Sequence, residues 1–295
     1  MKIYRIKLTA YSGFLTPFQA DTVFGHLCWV VAHNEGEKKL KEFLQPFKEG
    51  NPPFIISDGL PTDLLPKPLS AEFYAEPDKR KDIKKIEFVT LDDFNKIRKG
   101  EEFEPSKAKT PLKYRTVPHS RINRLTWSTP TEAGLYSLEE FFVPYLSVYL
   151  KLFAETWHDR IVNLFNELSK IGYGRKKSIG QGQFEVTEVK EFNFGELKDA
   201  NGFVTLSNFC PQAKDPTEGI YKTFVKYGKL GEEFTFCGNP FKRPLVMIKT
   251  GSVFKTNGHP KEFYGRMVEN VAPVKPEVIQ YGYAFALPII YPKTE

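Results

Sequence analysis

The sequence is poor in cysteine. Cys28, Cys210 and Cys237 are its three, odd in number and far apart, with no CxxC pair. That pattern indicates neither a disulfide framework nor a zinc ribbon. No apolar run is long enough to cross a membrane. Met1–Leu8 alternates charged and apolar residues instead of presenting the apolar block of a secretory leader, so a cytoplasmic location is expected. Paired carboxylates with metal-ligand spacing are missing, and neither metal nor cofactor is expected. One further absence is local: from Pro105 to Thr131, a span of 27 residues, there is no acidic residue.

What is present is ample for a core. The chain has 295 residues, 41% hydrophobic and 15% aromatic, enough for one large or two medium domains. Its net charge of +6 permits a polyanionic partner without proving one. The surplus is concentrated: Lys79–Arg124 holds 14 Lys and Arg against 7 Asp and Glu, a net of +7. Inside the acid-free span, Lys107, Lys109, Lys113, Arg115, Arg121 and Arg124 are interleaved with Tyr114, His119 and Trp127. Cations that follow a backbone and rings that stack on bases suit single-stranded nucleic acid. The competing reading is a solvated lysine-rich loop.

The stretch Ile171–Val186, IGYGRKKSIGQGQFEV, organises the rest. Gly172, Gly174, Gly180 and Gly182 bracket Arg175, Lys176, Lys177 and Ser178. Glycine lets the backbone take positive φ and approach a ligand closely, and successive N–H groups in such turns form an anion-binding concavity. Nucleotide templates fail here. A P-loop has four residues between its glycines and then Lys-Ser or Lys-Thr, whereas five separate Gly174 from Gly180 and Gln181 follows. The dinucleotide fingerprint runs from strand to helix, the reverse of this order. The plain alternative is a flexible connection with glycine ending a helix.

Periodicity supplies the frame. Lys2–Leu8 is read as a strand, Asp21–Asn34 as a helix N-capped by Asp21, and Glu37–Phe47 as a second helix. Phe54–Ile56 is a short strand, and Thr90–Lys99 a short helix with a Thr90/Asp93 capping box. Phe141–Phe153 is a long strand, Trp157–Ile171 a helix and Gln183–Phe192 a strand. Residues 58–130 are read as an insertion or extended hairpin outside the core. The order is βαββαβ, the ferredoxin-like motif. Strands are expected at 203–208, 221–227, 233–237, 245–249 and 278–287. The fold class is therefore α+β. Residues 1–195 are read as a ferredoxin-like domain, and 196–295 as a β-rich second one.

Candidates for chemistry are few. His26 sits among apolar residues of a helix, and no second histidine lies near enough in sequence to complete an acid–base pair, so a structural role is expected. Asp92 and Asp93 read as a first helical turn. Ser178 has no sequence-local base.

Three patches resemble the RAMP superfamily of CRISPR-associated proteins, and more narrowly the fourth (Csm-type) subunit of the type III-A effector complex. They are Thr16–Trp29 (TPFQADTVFGHLCW), Ser120–Thr126 (SRINRLT) with Leu135–Tyr136, and the glycine stretch Gly172–Phe184. Pro53–Asp58 and Leu65–Pro68 are similar too, and the second half is similar only loosely, through Tyr283–Pro288. The resemblance implies two ferredoxin-like (RRM-like) domains, the second over 196–295, in an RNA-binding, non-catalytic subunit that grips the 5′ handle of the CRISPR RNA. It also implies two partners, the large polymerase/cyclase-like subunit and the backbone RAMP subunit. Contacts are expected from Gln19, from Tyr173, Gly174, Arg175, Lys176, Lys177, Ser178, Gly180 and Gly182, and from Lys113, Arg115, His119, Arg121, Asn123 and Arg124. Sequence-specific grip is expected from His119–Arg124: Asn123 both donates and accepts on a base edge, Arg121 offers forked donors, His119 can stack, and Arg124 anchors a phosphate. The competing reading is that Asn123 and Arg124 tie the insertion to the first domain. A metal-independent endoribonuclease processing repeat RNA stays open as the alternative. A nucleotide-binding enzyme is disfavoured by the failed templates.

Overall fold

The computed structural model describes residues 1–104, 111–130, 132, 134–236 and 238–293. Lys107, Lys109 and Cys237 lie outside the described residues. Alternation makes the first strand: β1 (Lys2–Ala10) buries Ile6, Leu8 and Ala10 on one face. Helix α1 (Ala20–Glu35) buries Val23, Phe24, Leu27, Val30 and Val31, the face its spacing predicts. Asp21 is not its cap. The capping position is Gln19, without a side-chain cap bond, and Asp21 lies inside the helix with its carboxylate buried. Helix α2 (Glu37–Lys48) adds Phe43 and Phe47 to the core.

The next segment corrects the sequence reading. After β2 (Phe54–Ile56) come β3 (Leu60–Pro61), β4 (Leu65–Pro66), α3 (Arg80–Lys85), β5 (Phe88–Val89) and α4 (Leu91–Arg98). Leu65, Ala71, Ile83, Phe94, Ile97 and Phe103 are all buried, so residues 58–104 belong to the core. Helix α4 starts as its sequence predicts, with Thr90 Oγ1 accepting the Asp93 N–H at 3.2 Å. Arg98, one of the 14 cations of Lys79–Arg124, is 2% exposed. It donates to the carbonyls of Pro288 and Phe194, each at 2.8 Å. Further on, β6 (Lys113–Ser120) pairs along its length with β7 (Leu135–Phe142) in a hairpin.

The strand expected over Phe141–Phe153 is two strands, β7 and β8 (Tyr145–Leu152), parted at Val143–Pro144. Proline has no N–H for the ladder. Helix α5 (His158–Ile171) buries Ile161, Leu164, Phe165 and Leu168 and leads through the glycine stretch to β9 (Phe184–Glu191). The first sheet runs β2-β8-β1-β9, all antiparallel, with β3 also on β8. Numbered along the chain, its four main strands lie in the order 2-3-1-4. Helices cross between the first and second and between the third and fourth.

The second half holds β10 (Gly202–Thr205), β11 (Gly219–Ile220), β12 (Thr223–Lys226), β13 (Leu245–Ile248), β14 (Val253–Lys255), β15 (Phe263–Gly265) and β16 (Tyr283–Ile289). Its sheet runs β11-β14-β10-β16-β15, and β10, β11, β14 and β16 repeat the 2-3-1-4 order. Among the described residues no α-helix follows Ile171. The crossovers are irregular instead, and they contain Pro211, Pro216, Pro260, Pro273 and Pro276, each of which costs a helix one backbone hydrogen bond. The strand expected at 233–237 is a 3₁₀ turn, Glu232–Phe236. Both sheets share one core. Tyr283 Oη donates to Phe47 O at 2.6 Å, and the buried Lys151 donates to Ala286 O at 2.7 Å. No described helix is long and apolar enough to cross a membrane.

Candidate nucleic-acid interface

The glycine stretch is a tightly built loop. Gly172, Gly174, Gly180 and Gly182 have φ of +85°, +78°, +90° and +69°, and Lys176 joins them at +62°. They serve different needs. A Cβ on Gly182 would lie 1.9 Å from the Tyr173 carbonyl oxygen, and one on Gly174 would lie 2.7 Å from Thr16 Cβ. A Cβ on Gly180 would meet nothing within 4 Å, so only its φ favours glycine there.

Two distant segments hold the loop. Arg175 N donates to Thr16 Oγ1 at 3.1 Å, Gly182 N to Gly13 O at 2.9 Å and Gln183 N to Ser12 Oγ at 2.8 Å. Gly174 N donates to His26 Nε2 at 3.2 Å. Burial, with Lys177 nearby, lowers His26 to about 4, so the ring is a neutral acceptor. Ser12, Thr16 and His26 were not foreseen as loop partners; the one available signal was that Thr16 and His26 share the first family-like patch. Tyr173 is corrected outright. It is 1% exposed, its ring centroid lies 4.1 Å from that of Phe18, and its hydroxyl donates to Pro17 O at 2.6 Å. It has no face to offer a base.

The three loop cations divide. Arg175, Lys176 and Ser178 are exposed, but Lys177 is ion-paired with Glu232. Gln19 is half-buried, and its Oε1 accepts from Lys226 Nζ at 2.5 Å, so its carbonyl faces protein. Behind it lies a buried polar network. Lys226 Nζ sits 2.9 Å from Asp21 Oδ2, to which Gln280 Nε2 donates at 2.5 Å. Asp58 Oδ1 accepts from Ala20 N at 2.8 Å, yet burial pushes this carboxyl up to about 7.

The hairpin comes to the loop. Lys176 Nζ lies 5.7 Å from the Tyr136 ring centroid, and Tyr136 lies parallel to His119 at 5.4 Å and 15°. The glycine loop and the hairpin that carries the acid-free segment, about 40 residues apart in the chain, thus meet at one surface. Lys113, Arg121 and Arg124 are exposed along it, whereas Arg115 is paired with the buried Glu140. Arg121–Leu125 is not extended. Asn123 Oδ1 accepts the Leu125 N–H at 2.9 Å and its N–H donates to Ser128 O, so Asn123 closes the hairpin turn. Ile122, Leu125 and Trp127 are exposed at this tip, which braces against nothing else described.

No protein-family model and no curated protein matches the sequence. Solved structures match the fold throughout. A chain of the Csm1–Csm4 cassette in complex with cA4 matches at TM-score 0.69 and 21% identity, covering 100% of both chains. The same cassette with AMPPNP matches at 0.68 and 22%, again covering 100% of both. A chain of the Csm3–Csm4 subcomplex of the type III-A CRISPR-Cas interference complex matches at 0.65 and 17%, covering 99% of this chain and 100% of that one. Csm4 is the component common to these assemblies. The chain has the Csm4-type fold that the sequence resemblance implies.

Proposed function

We propose that this chain is an RNA-binding, non-catalytic subunit of a type III-A CRISPR effector complex. It holds the 5′ handle of the CRISPR RNA and bridges the large subunit to a backbone subunit, in the cytoplasm. The observation that carries the reading is the meeting of two cationic elements through Lys176, Tyr136 and His119. Arg175 and Lys176 on the loop, with Lys113, Arg121 and Arg124 on the hairpin, are the RNA contacts. The partner assignment is supported by the assemblies in which chains of this fold occur, one containing Csm1 and one Csm3. Both sheets are read as ferredoxin-like, in two domains divided near residue 195, because each repeats the 2-3-1-4 antiparallel order. Among the described residues the second contains no α-helix. His26 gives the ribonuclease alternative no support, since its Nε2 already accepts a backbone N–H.

The test is to purify the tagged chain from its source cell and sequence the bound RNA. A short 5′ sequence shared by those RNAs is expected. RNAs without a common 5′ end would contradict the proposal, as would repeat-RNA cleavage by the purified chain that His26→Ala abolishes.

A further inference from the structure

The β12–β13 ribbon carries a second cationic and aromatic surface. From Gly219 to Lys261 the only acids are Glu232 and Glu233, against eight Lys and Arg residues. Val225 faces Val246 in the register, and pairing extends to a bridge between Lys229 and Phe241. Alternation sorts the two sides of the first strand. Phe224, Lys226 and Leu230 turn inward, Lys226 reaching Asp21 and Leu230 being buried. Tyr221, Val225, Tyr227 and Lys229 turn outward. Tyr227 and Phe241 are 77% and 61% exposed, and Lys229 Nζ lies 5.9 Å from the Phe241 centroid. Arg243, two residues before the second strand, is exposed.

Tyr221 stacks on the buried Phe254 at 5.3 Å, but Val225, Tyr227 and Phe241 stay exposed, and exposed apolar area on a two-stranded ribbon marks a contact surface. Its position is informative. The ribbon is tied to the candidate interface at two points: Lys226 binds Gln19 and Asp21 at the start of α1, and Glu232, in the turn joining the two strands, pairs with Lys177 of the glycine loop. These ties hold the ribbon beside the glycine loop.

We propose that this face is a second contact for single-stranded RNA, with Tyr227 and Phe241 stacking on bases and Lys229 and Arg243 holding phosphates. The inference rests on the RNA-binding reading above. Composition favours RNA over a protein partner. Interfaces between proteins are depleted in lysine, whereas exposed rings among unopposed cations are what a single strand needs.

The test uses the full chain and mixed-sequence single-stranded RNA across a salt series. Lys229→Ala with Arg243→Ala should lower the log–log salt slope by about 1.4, two phosphates at about 0.7 each. Tyr227→Ala or Phe241→Ala should weaken binding about fivefold or more while leaving the slope unchanged, because stacking releases no counterions. All four side chains are exposed, so the fold tolerates these changes. Ultraviolet cross-linking of RNA to the native chain, mapped by mass spectrometry, provides a check without substitution and should mark the Tyr227 or Phe241 peptide. If ribbon variants bind as the native chain does while Arg175→Ala with Lys176→Ala binds worse, the ribbon proposal fails, the face is a protein-docking surface and the RNA-binding reading survives. If the native chain binds no RNA, both fail.

Discussion

Gly174 and His26 are joined by a single hydrogen bond, backbone N–H to Nε2 at 3.2 Å, across 148 positions of sequence. The bond exists only while that nitrogen is unprotonated. Folded, His26 titrates near 4 instead of its ordinary 6.5. Between those values the unfolded chain binds the proton and the folded chain does not. The stability from this contact is therefore complete above about pH 6.5 and is lost as pH falls towards 4. Amide exchange at Gly174 should quicken over that window. In His26→Ala it should be fast throughout; a Gly174 amide equally protected in the variant would show that the imidazole does not hold the loop.

Asp58 works in the opposite direction. Its carboxyl titrates near 7 in the fold and near 3.8 when unfolded. Over that range the folded state keeps the proton, so this group's contribution falls as pH rises from about 4 to about 7. Asp58→Asn keeps an oxygen for the Ala20 N–H and removes the ionisation. Urea midpoints of this variant should rise with pH through the His26 window more steeply than those of the native chain. Identical pH profiles would show Asp58 to be ionised throughout.

The loop glycines should rank by what surrounds them. Gly180→Ala places its Cβ in open space and bears only the left-handed backbone, about 1–2 kcal/mol. Gly174→Ala must push Thr16, and Gly182→Ala must displace the Tyr173 carbonyl, so each should cost more than about 3 kcal/mol. Urea denaturation of the three variants measures this, and equal losses would mean the loop is looser than described.

Lys226 is the counter-charge of a carboxylate whose side chain is 1% exposed. Lys226→Ala should destabilise by about 3–5 kcal/mol because it strands Asp21 as a buried charge. Asp21→Asn in the same chain should recover part of that loss. A double-mutant cycle by denaturant titration gives the coupling; additivity would mean the pair contributes nothing.

These contacts show what could be read from sequence. Local devices were legible: the alternation of β1, the Thr90/Asp93 cap of α4, the apolar face of α5 and the glycine loop after it. Long-range pairing was not. Asp21 looked like a cap because Lys226, its partner, lies 205 positions away. Tyr173 looked available for stacking because Phe14 and Phe18, which cover it, belong to another segment. Residues 58–104 looked peripheral because their core side chains come singly, from short elements broken by proline and charge. Periodicity did not reveal that both sheets repeat one strand order, which only the resemblance implied, because the second half has irregular crossovers in place of helices among the described residues.

The most direct measurement is the salt dependence of single-stranded RNA binding by loop variants of the full chain. Arg175 and Lys176 are exposed, whereas Lys177 is neutralised by Glu232. Arg175→Ala with Lys176→Ala should weaken binding to every sequence and lower the log–log slope by about 1.4, at about 0.7 per lost phosphate contact. Lys177→Ala should leave the slope where it was. A slope unchanged by the double substitution, or lowered equally by Lys177→Ala, would contradict RNA binding at this loop.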